Sequence, residues 1–172
     1  MSKPSDVPPD FTTTPYTVII DTREQAPFEF RSMTRLERYG GGPLIVKTKR
    51  LALPTGDYSI EGMQDQITIE RKEMGDFFNC CGQDRERFEK QLSRLNEMEF
   101  ACVVVEASFD MVMRGHRESK LKPESVRGSV IAWQQEHFPK VHWWFLGGKF
   151  LAEQTTFRML DRWWRNHSES SH

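Results

Sequence analysis

Four side chains in this sequence are of the types that hold a divalent cation and activate water. Asp21 ends the apolar segment YTVIID, Asp57 follows Gly56, and Glu70 and Lys72 lie two residues apart in ITIERK. Hydrolysis of a phosphodiester must stabilise negative charge and needs a nucleophilic water, and one or two cations held by carboxylates can supply both. The hard oxygens of Asp57 and Glu70 suit Mg²⁺ or Mn²⁺ rather than zinc. A lysine beside such a metal orients water and stabilises charge in the transition state.

The order of these residues is weak evidence by itself, because acids and bases two residues apart commonly mark a solvated strand face. In a strand, Glu70 and Lys72 point to the same face. Asp76 follows four residues after Lys72, where a helix could begin. The spacing is therefore compatible with a compact site, but a longer pattern is needed to identify one.

The segments that must position these residues alternate between strand and helix patterns. Short apolar, β-branched or alternating runs predict six strands, at Tyr16–Asp21, Leu44–Lys47, Asp57–Glu61, Ile67–Arg71, Phe100–Val105 and Val141–Leu146. Apolar residues at helical spacing predict three helices, around Phe88, Leu92, Leu95 and Met98, around Val126, Val130 and Trp133, and around Phe150, Phe157, Leu160 and Trp164. We therefore expect an α/β fold, with a central mixed β-sheet flanked by helices.

Length and composition favour a single folded domain. The chain has 172 residues, enough for one hydrophobic core. Residues 1–15 are polar and rich in proline and predict a disordered tail, residues 16–166 predict the folded domain, and residues 167–172 predict a flexible tail. No apolar run approaches the roughly 20 residues needed to span a bilayer, so no membrane association is expected.

Charge and cysteine content exclude several classes of protein. With 24 Lys and Arg against 25 Asp and Glu, the net charge is -1. Nucleic acid would therefore have to be bound by a local patch rather than by bulk positive charge. Three cysteines, Cys80, Cys81 and Cys102, form no CxxC pair, which argues against a disulfide framework or a structural zinc site. The simplest location is a reducing cytoplasm, with association to the nucleoid if the host is prokaryotic or a phage.

The longer pattern around the acids resembles a known motif. Gly56-Asp57-Tyr58, then Glu70-Arg71-Lys72, then Asp76 is similar to the GDx(n)ERKxxxD motif of the xeroderma pigmentosum group F (XPF) nuclease family. Further segments resemble the same family in order along the chain: IIDTRE at 19–24, LPT at 53–55, RFEKQ at 87–91 and VVVE at 103–106. The resemblance covers roughly residues 16–150.

This resemblance implies a restriction-endonuclease-like core of the PD-(D/E)XK type and metal-dependent cleavage of DNA near junctions, flaps and forks. The positions that match metal-binding carboxylates are Asp21, Asp57 and Glu70. The positions that match catalytic residues are Asp57, Glu70, Lys72, Arg71 and Asp76, and the supporting positions are Glu24, Arg87 and Gln91. No motif residue is replaced, so an active enzyme is expected, with Mg²⁺ or Mn²⁺ as its cofactor.

The well-known family members carry a helicase-like region or a tandem helix-hairpin-helix domain beside the nuclease. This sequence contains neither, so a stand-alone nuclease is expected, and the preference for branched DNA rests on the resemblance alone. Family members commonly pair through their nuclease domains, which predicts a homodimer here, with Trp163 and Trp164 as spare aromatics. A protein partner that targets the nuclease is a further expectation.

Two basic segments are candidate DNA contacts. One contains Lys47, Lys49 and Arg50, and the other contains Arg114, Arg117, Lys120 and Lys122. Such clusters can meet the phosphate backbone, although an ordinary solvated surface explains them equally well. The tryptophans at 143, 144, 163 and 164 could stack on bases, but packing is the more common role of such residues.

Two other functions use the same sequence features differently. One is a non-catalytic DNA-binding scaffold that acts with a partner protein, and the other is an interaction protein that does not bind DNA. The intact Asp57, Glu70 and Lys72 argue against the scaffold. The biological process, whether repair, recombination or phage-related DNA processing, is left open.

Overall fold

A computed structural model describes residues 12–168 as a six-stranded mixed β-sheet with helices on both faces. The strands are β1 (Thr12–Ile20), β2 (Leu44–Arg50), β3 (Tyr58–Ile60), β4 (Ile67–Lys72), β5 (Phe100–Val105) and β6 (Val141–Phe145). Their order in the sheet is β2-β1-β3-β4-β5-β6. The β1–β3 and β3–β4 pairs are antiparallel and the other pairs are parallel. The predicted fold class is therefore confirmed.

Five α-helices connect or flank these strands. They are α1 (Met74–Cys81), α2 (Arg85–Asn96), α3 (Phe109–Met113), α4 (Pro123–Ala132) and α5 (Lys149–Ser168). A 3-10 turn lies at Glu37–Tyr39, and a π-helical turn at Trp133–His137 extends α4. No helix within the described part of the chain is both long and apolar enough to cross a bilayer.

The sheet separates two hydrophobic cores because successive strand residues point to opposite faces. Val104 of β5 packs with Phe157 and Leu160 of α5 on one face. Val103, its neighbour in sequence, packs with Phe88 of α2 on the other face. The first core also holds the chain between β1 and β2, and the second core is covered by α1 to α4.

Most strand boundaries lie close to the predictions, and the first residue of β1 differs most from its predicted position. β5 was predicted to the residue, whereas β1 begins at Thr12 and places residues 12–15 in the sheet instead of in a tail. Thr12 and Thr13 pair with the start of β2, and the register shifts before Thr17, around Pro15. This tertiary pairing outweighs the proline signal. The tail predictions for residues 1–11 and 169–172 lie outside the described residues, and residues 167 and 168 belong to α5.

The strand order brings the candidate site together at one end of the central strands β1, β3 and β4. Ile20, the last residue of β1, pairs with Tyr58, the first residue of β3, and Tyr58 pairs with Ile69 of β4. Asp21 therefore directly follows β1, Asp57 directly precedes β3, and both adjoin the end of β4.

Candidate active site

The backbone holds Asp57 against the end of β4. Its N–H donates to the carbonyl of Ile69 at 2.8 Å, and its carboxylate Oδ2 accepts from the N–H of Arg71 at 2.7 Å. Gly56 makes this approach possible, since its φ is +80° and a Cβ at this position would lie 1.9 Å from Oγ1 of Thr68. Local packing thus requires the glycine of the Gly56-Asp57 motif.

Glu70 and Lys72 form a buried ion pair on the α2 side of the sheet. Lys72 Nζ lies 2.6 Å from Glu70 Oε1, as their spacing in the strand predicted. Gln91 of α2 donates its amide Nε2 to Glu70 Oε2 at 2.6 Å. The Lys72 ammonium also lies 5.3 Å from the ring centroid of Phe88. The orientation of Glu70 is therefore fixed by partners from both the strand and α2.

Burial and charge shift the pKa values of these groups. Burial, reinforced by repulsion from Glu70, raises the pKa of Asp57 well above its ordinary value. Burial also raises the pKa of Glu70, although Lys72 opposes that shift. Burial alone would lower the pKa of Lys72, but Glu70 outweighs it and the pKa is raised. Lys72 therefore remains protonated at neutral pH, whereas Asp57 and Glu70 hold their protons to a higher pH than ordinary carboxyl groups.

Arg71 points to the opposite face of β4, as its place between Glu70 and Lys72 requires. Its buried guanidinium contacts Glu106 at 2.5 Å, Glu73 at 3.0 Å and Glu24 at 3.2 Å. It also donates to the carbonyl of Ala26 at 3.0 Å and lies 5.2 Å from the ring centroid of Phe28. Glu24 is therefore an anchor for Arg71 in this structure, and Arg71 ties the chain after β1 to the ends of β4 and β5.

Asp21 is buried and its carboxylate is fully engaged. It accepts from Arg23 Nε at 2.7 Å, from Arg23 Nη2 at 3.1 Å and from the N–H of Leu53 at 2.8 Å. Burial alone would raise its pKa, but these hydrogen bonds lower it. Residues 12–168 contain no group of three Asp, Glu, His or Cys side chains already placed to hold a metal ion. The role of Asp21 as a third ligand stays a prediction.

The other predicted site residues are divided between the cleft and the surface. Asp76 is exposed near the start of α1 and lines the same cleft of about 310 Å³ as Asp57, Glu70 and Lys72. Arg87 is exposed and pairs with Asp84 at 3.3 Å. Of the two predicted α2 residues, Gln91 therefore reaches the acids and Arg87 does not contact them.

The two basic segments are exposed, and part of their charge is paired. Lys49 contacts Glu61 at 2.7 Å, and Arg114 forms an ion pair with Asp110 within one helical turn. Arg50 donates to the carbonyl of Glu24 at 2.7 Å and so supports the chain after β1. The exposed residues that complete the two segments are Lys47, Arg117, Lys120 and Lys122. Contact of either segment with DNA stays a prediction.

Sequence reasoning did not single out Arg23 or Arg94 as site residues. Arg23 lies inside the DTRE segment and lines both the cleft and an adjoining recess. Arg94 follows Gln91 by three residues on α2, so both lie on one helix face, and both line that recess. This spacing was the available signal for Arg94. Glu106, which ends the VVVE segment, was seen only as the end of a strand.

The sheet order and the position of the acids define the fold of the XPF nuclease domain. XPF from Aeropyrum pernix superposes with a TM-score of 0.58 at 24% identity, covering 91% of this chain and 62% of that chain. XPF from Aeropyrum pernix in complex with DNA superposes with a TM-score of 0.60 at 24% identity, covering 88% of this chain and 66% of that chain. Likeness at this identity shows the fold, and the matched chains are considerably longer than this one.

The ERCC4 domain matches residues 20–146, well over half of the chain. The protein therefore belongs to the ERCC4 domain family, the nuclease family of XPF, and the resemblance seen in the sequence is confirmed. None of the curated proteins matches the chain.

Proposed function

We propose that this protein is a divalent-metal-dependent endonuclease that hydrolyses DNA phosphodiester bonds. The observation that carries the proposal is the buried Glu70–Lys72 pair, held by Gln91, in one cleft with Asp57. A solvated strand face would leave these side chains exposed, whereas here Glu70 is buried and Lys72 is mostly so. Burying such charges is costly and is typical of functional sites.

The side chains present fit Mg²⁺ or Mn²⁺. Asp57 and Glu70 offer hard carboxylate oxygens, and Oδ1 of Asp57 accepts no hydrogen bond from residues 12–168. The cleft is lined by five carboxyl groups and three cationic side chains, which include Arg71 with its partners Glu24 and Glu73. Without that cluster, the remaining acids are Asp57, Glu70 and Asp76 and the remaining cations are Arg23 and Lys72, and a cation would balance this excess. Asp57 and Glu70 would hold the ion, and Asp21 could join them if it left Arg23. A bound ion of this kind supplies an activated water and stabilises charge on the phosphate.

The protein's own groups then have distinct tasks. Lys72 stays positively charged, because Glu70 raises its pKa, and it can bind a phosphate oxygen or orient water rather than accept a proton. Gln91 fixes Glu70 by donating to Oε2. Arg71 acts from the other face by holding the end of β4, and Asp76 lies at the rim of the cleft.

We further propose a substrate and an assembly. The family implies flap, fork or branched DNA, and with a net charge of -1 the chain must bind through local Lys and Arg, so its affinity should fall steeply with salt. A homodimer is also expected from the family. Trp163 and Trp164 pack against the α5-side core, so they are poor candidates for its interface. Trp144 on edge strand β6 is half exposed, so it is the better candidate for an apolar contact between subunits.

Incubation of the protein with plasmid and flap DNA, in Mg²⁺ and in EDTA, tests the proposal. Cleavage in Mg²⁺ that EDTA abolishes is expected, with flaps and forks cut faster than linear duplex of the same sequence. Binding of DNA without cleavage would favour the alternative, a scaffold that acts with a partner protein. Absence of both binding and cleavage would favour an interaction protein.

A further inference from the structure

A small recess opens beside Asp57, and Lys72 does not line it. It has a volume of about 180 Å³ and is lined by residues that include Asp57, Arg23, Thr55, Gln91 and Arg94. Asp57 and Arg23 also line the acidic cleft, so the cleft and the recess meet at these two residues. A water occupies about 30 Å³ in the liquid, which leaves room in the recess for a phosphate group.

The charges of the recess differ from those of the cleft. The cleft has an excess of carboxylates, whereas two acids and two arginines line the recess. Arg23 is bound to Asp21 through two of its nitrogens and to the carbonyl of Leu53. Arg94 has no ion pair or side-chain hydrogen bond with any residue in the range 12–168. Its guanidinium is thus the unused cation of the recess.

A second observation points to a polar ligand. Thr55 is buried and lines the recess, and its Oγ1 has no hydrogen-bond partner among the described residues. A buried hydroxyl without a partner is unfavourable, but Oγ1 is itself closed off from solvent, so a ligand in the recess would satisfy it only after the Thr55 side chain turns towards the recess. An arginine fork together with a hydroxyl is a common way to bind a phosphate.

The geometry points to a phosphate subsite at Arg94, beside Thr55, which holds the DNA phosphate next to the one cleaved in the cleft. This inference rests on the proposed function. Gln91 links the two places, since it lies one turn before Arg94 on α2 and binds Glu70 directly. A DNA strand whose phosphate is bound by Arg94 would therefore be positioned relative to Glu70, because Arg94 and Gln91 belong to the same helix, α2. Arg94 is a positioning residue in this scheme.

Single methylphosphonates, which remove the charge of one phosphate, test the subsite by binding alone. A flap duplex carrying one such group at successive positions is titrated in EDTA with the wild-type protein, Arg94→Gln and Lys90→Gln. Lys90 is the matched control, because it is exposed on the same helix, pairs with Glu86 and does not line the recess. Arg94→Lys tests whether charge alone suffices.

We expect one position at which the methylphosphonate weakens binding by the wild type and by Lys90→Gln but not by Arg94→Gln. On unmodified DNA, Arg94→Gln should bind on the order of 10-fold more weakly at low salt, with the slope of log affinity against log salt reduced by about one. Arg94→Lys should restore part of the affinity. The same pattern in a protein that never cleaves DNA in Mg²⁺ would support the subsite and remove the proposed activity.

Three results would overturn the subsite. One is an identical methylphosphonate profile for Arg94→Gln and the wild type, and another is an equal loss of affinity in Lys90→Gln. The third is displacement of DNA by low-millimolar inorganic phosphate, beyond an ionic-strength control, that is equally strong for the wild type and for Arg94→Gln, which would place the phosphate competition away from Arg94. Failure of the wild type to bind any DNA would overturn the subsite and the proposed function together.

Discussion

The end of β4 presents two charged clusters that point to opposite faces of the strand and both border the cleft at its end, and they differ in how completely their charges are paired. On one face, Glu70 and Lys72 share a cleft with Asp57, and carboxylates are in excess. On the other face, the guanidinium of Arg71 is surrounded by three carboxylates and a carbonyl and lies over the ring of Phe28.

This difference separates a site whose charges are unevenly matched from one whose cation is fully surrounded by partners. The Arg71 cluster uses its cation fully and joins three segments of chain, so its role is to hold them. The Glu70 cleft has carboxylate charge that its lysine does not balance, and the pKa of Asp57 is raised by burial and by Glu70. A family motif that reads as three adjacent residues thus combines an anchoring residue, Arg71, with two residues that line the cleft, Glu70 and Lys72.

The largest expected effect comes from removing the cation of the complete cluster. Arg71→Met would leave the buried carboxylates of Glu24 and Glu106 without their partner, and losing one member of a buried pair typically costs about 3–5 kcal/mol. Chemical denaturation would measure this loss, with the exposed Arg114→Met as a control expected to change the unfolding free energy by less than about 0.5 kcal/mol.

The double variant Arg71→Met/Glu106→Gln should recover part of that stability, because it removes one of the unpaired acids. Retention of wild-type stability by Arg71→Met, together with loss of cleavage, would contradict the anchoring role and place the guanidinium in the chemistry.

The acids of the incomplete cleft should affect activity far more than stability. Glu70→Gln and Asp57→Asn remove the carboxylates proposed to hold the metal, so cleavage in Mg²⁺ should fall on the order of 10²-fold or more. Single-turnover cleavage measured beside circular dichroism would separate this from unfolding. Wild-type cleavage rates in both variants would show that the site is assigned to the wrong residues.

These two regions also show how far sequence reasoning reaches. The pairing of Glu70 with Lys72 was predictable, because the period of a strand is two, and Phe100–Val105 was predictable as a continuous apolar run. The contacts of Arg71 could not be predicted in this way. They depend on Glu24 and Ala26 in the chain after β1, and that segment has no periodic pattern. Arg94 was missed for a related reason, since α2 carries charges on several sides and its sequence does not show which side meets the cleft.

Lys72 should contribute to the rate more than to binding. Lys72→Ala removes the cation beside Glu70, while the exposed Lys and Arg elsewhere remain available to phosphate, so a fall of roughly 10- to 100-fold in the saturated rate is expected with little change in DNA affinity. Single-turnover rates and anisotropy on the same flap duplex would measure the two quantities. Weaker binding with an unchanged saturated rate would make Lys72 a simple phosphate contact.

The raised pKa of Asp57 predicts a stability effect in the metal-free protein. A carboxyl whose folded pKa exceeds its unfolded value of about 3.9 stabilises the fold below that value, and this contribution is lost as pH rises through the folded pKa. The Asp57→Asn variant has no carboxyl to ionise at this position and so does not lose this stability. In EDTA its Tm should therefore exceed that of the wild type near neutral pH, and the difference between the two Tm values should narrow towards pH 4. In a chain of this size, 1 kcal/mol moves Tm by roughly 2–4 °C, which calorimetry resolves. A gap that widens towards pH 4 would contradict the raised pKa.

The smallest expected effect is a change in stability when Glu73, the exposed partner of Arg71, is replaced. Comparing it with replacement of the buried partner Glu106 tests how much each contact contributes. Glu73 and Glu106 both bind the guanidinium, but the Glu73 side chain is 59% exposed and the Glu106 side chain 9%. An exposed ion pair is screened by water and contributes about 0–1 kcal/mol, so Glu73→Gln should change the unfolding free energy by no more than this. Glu106→Gln should cost clearly more, since Arg71 then lacks its closest buried anion. Denaturation of both variants at low and high salt would compare them, and salt should reduce only the small Glu73 effect. Equal losses in the two variants would mean that burial does not set the strength of these contacts and that the cluster is not the closed anchor described here.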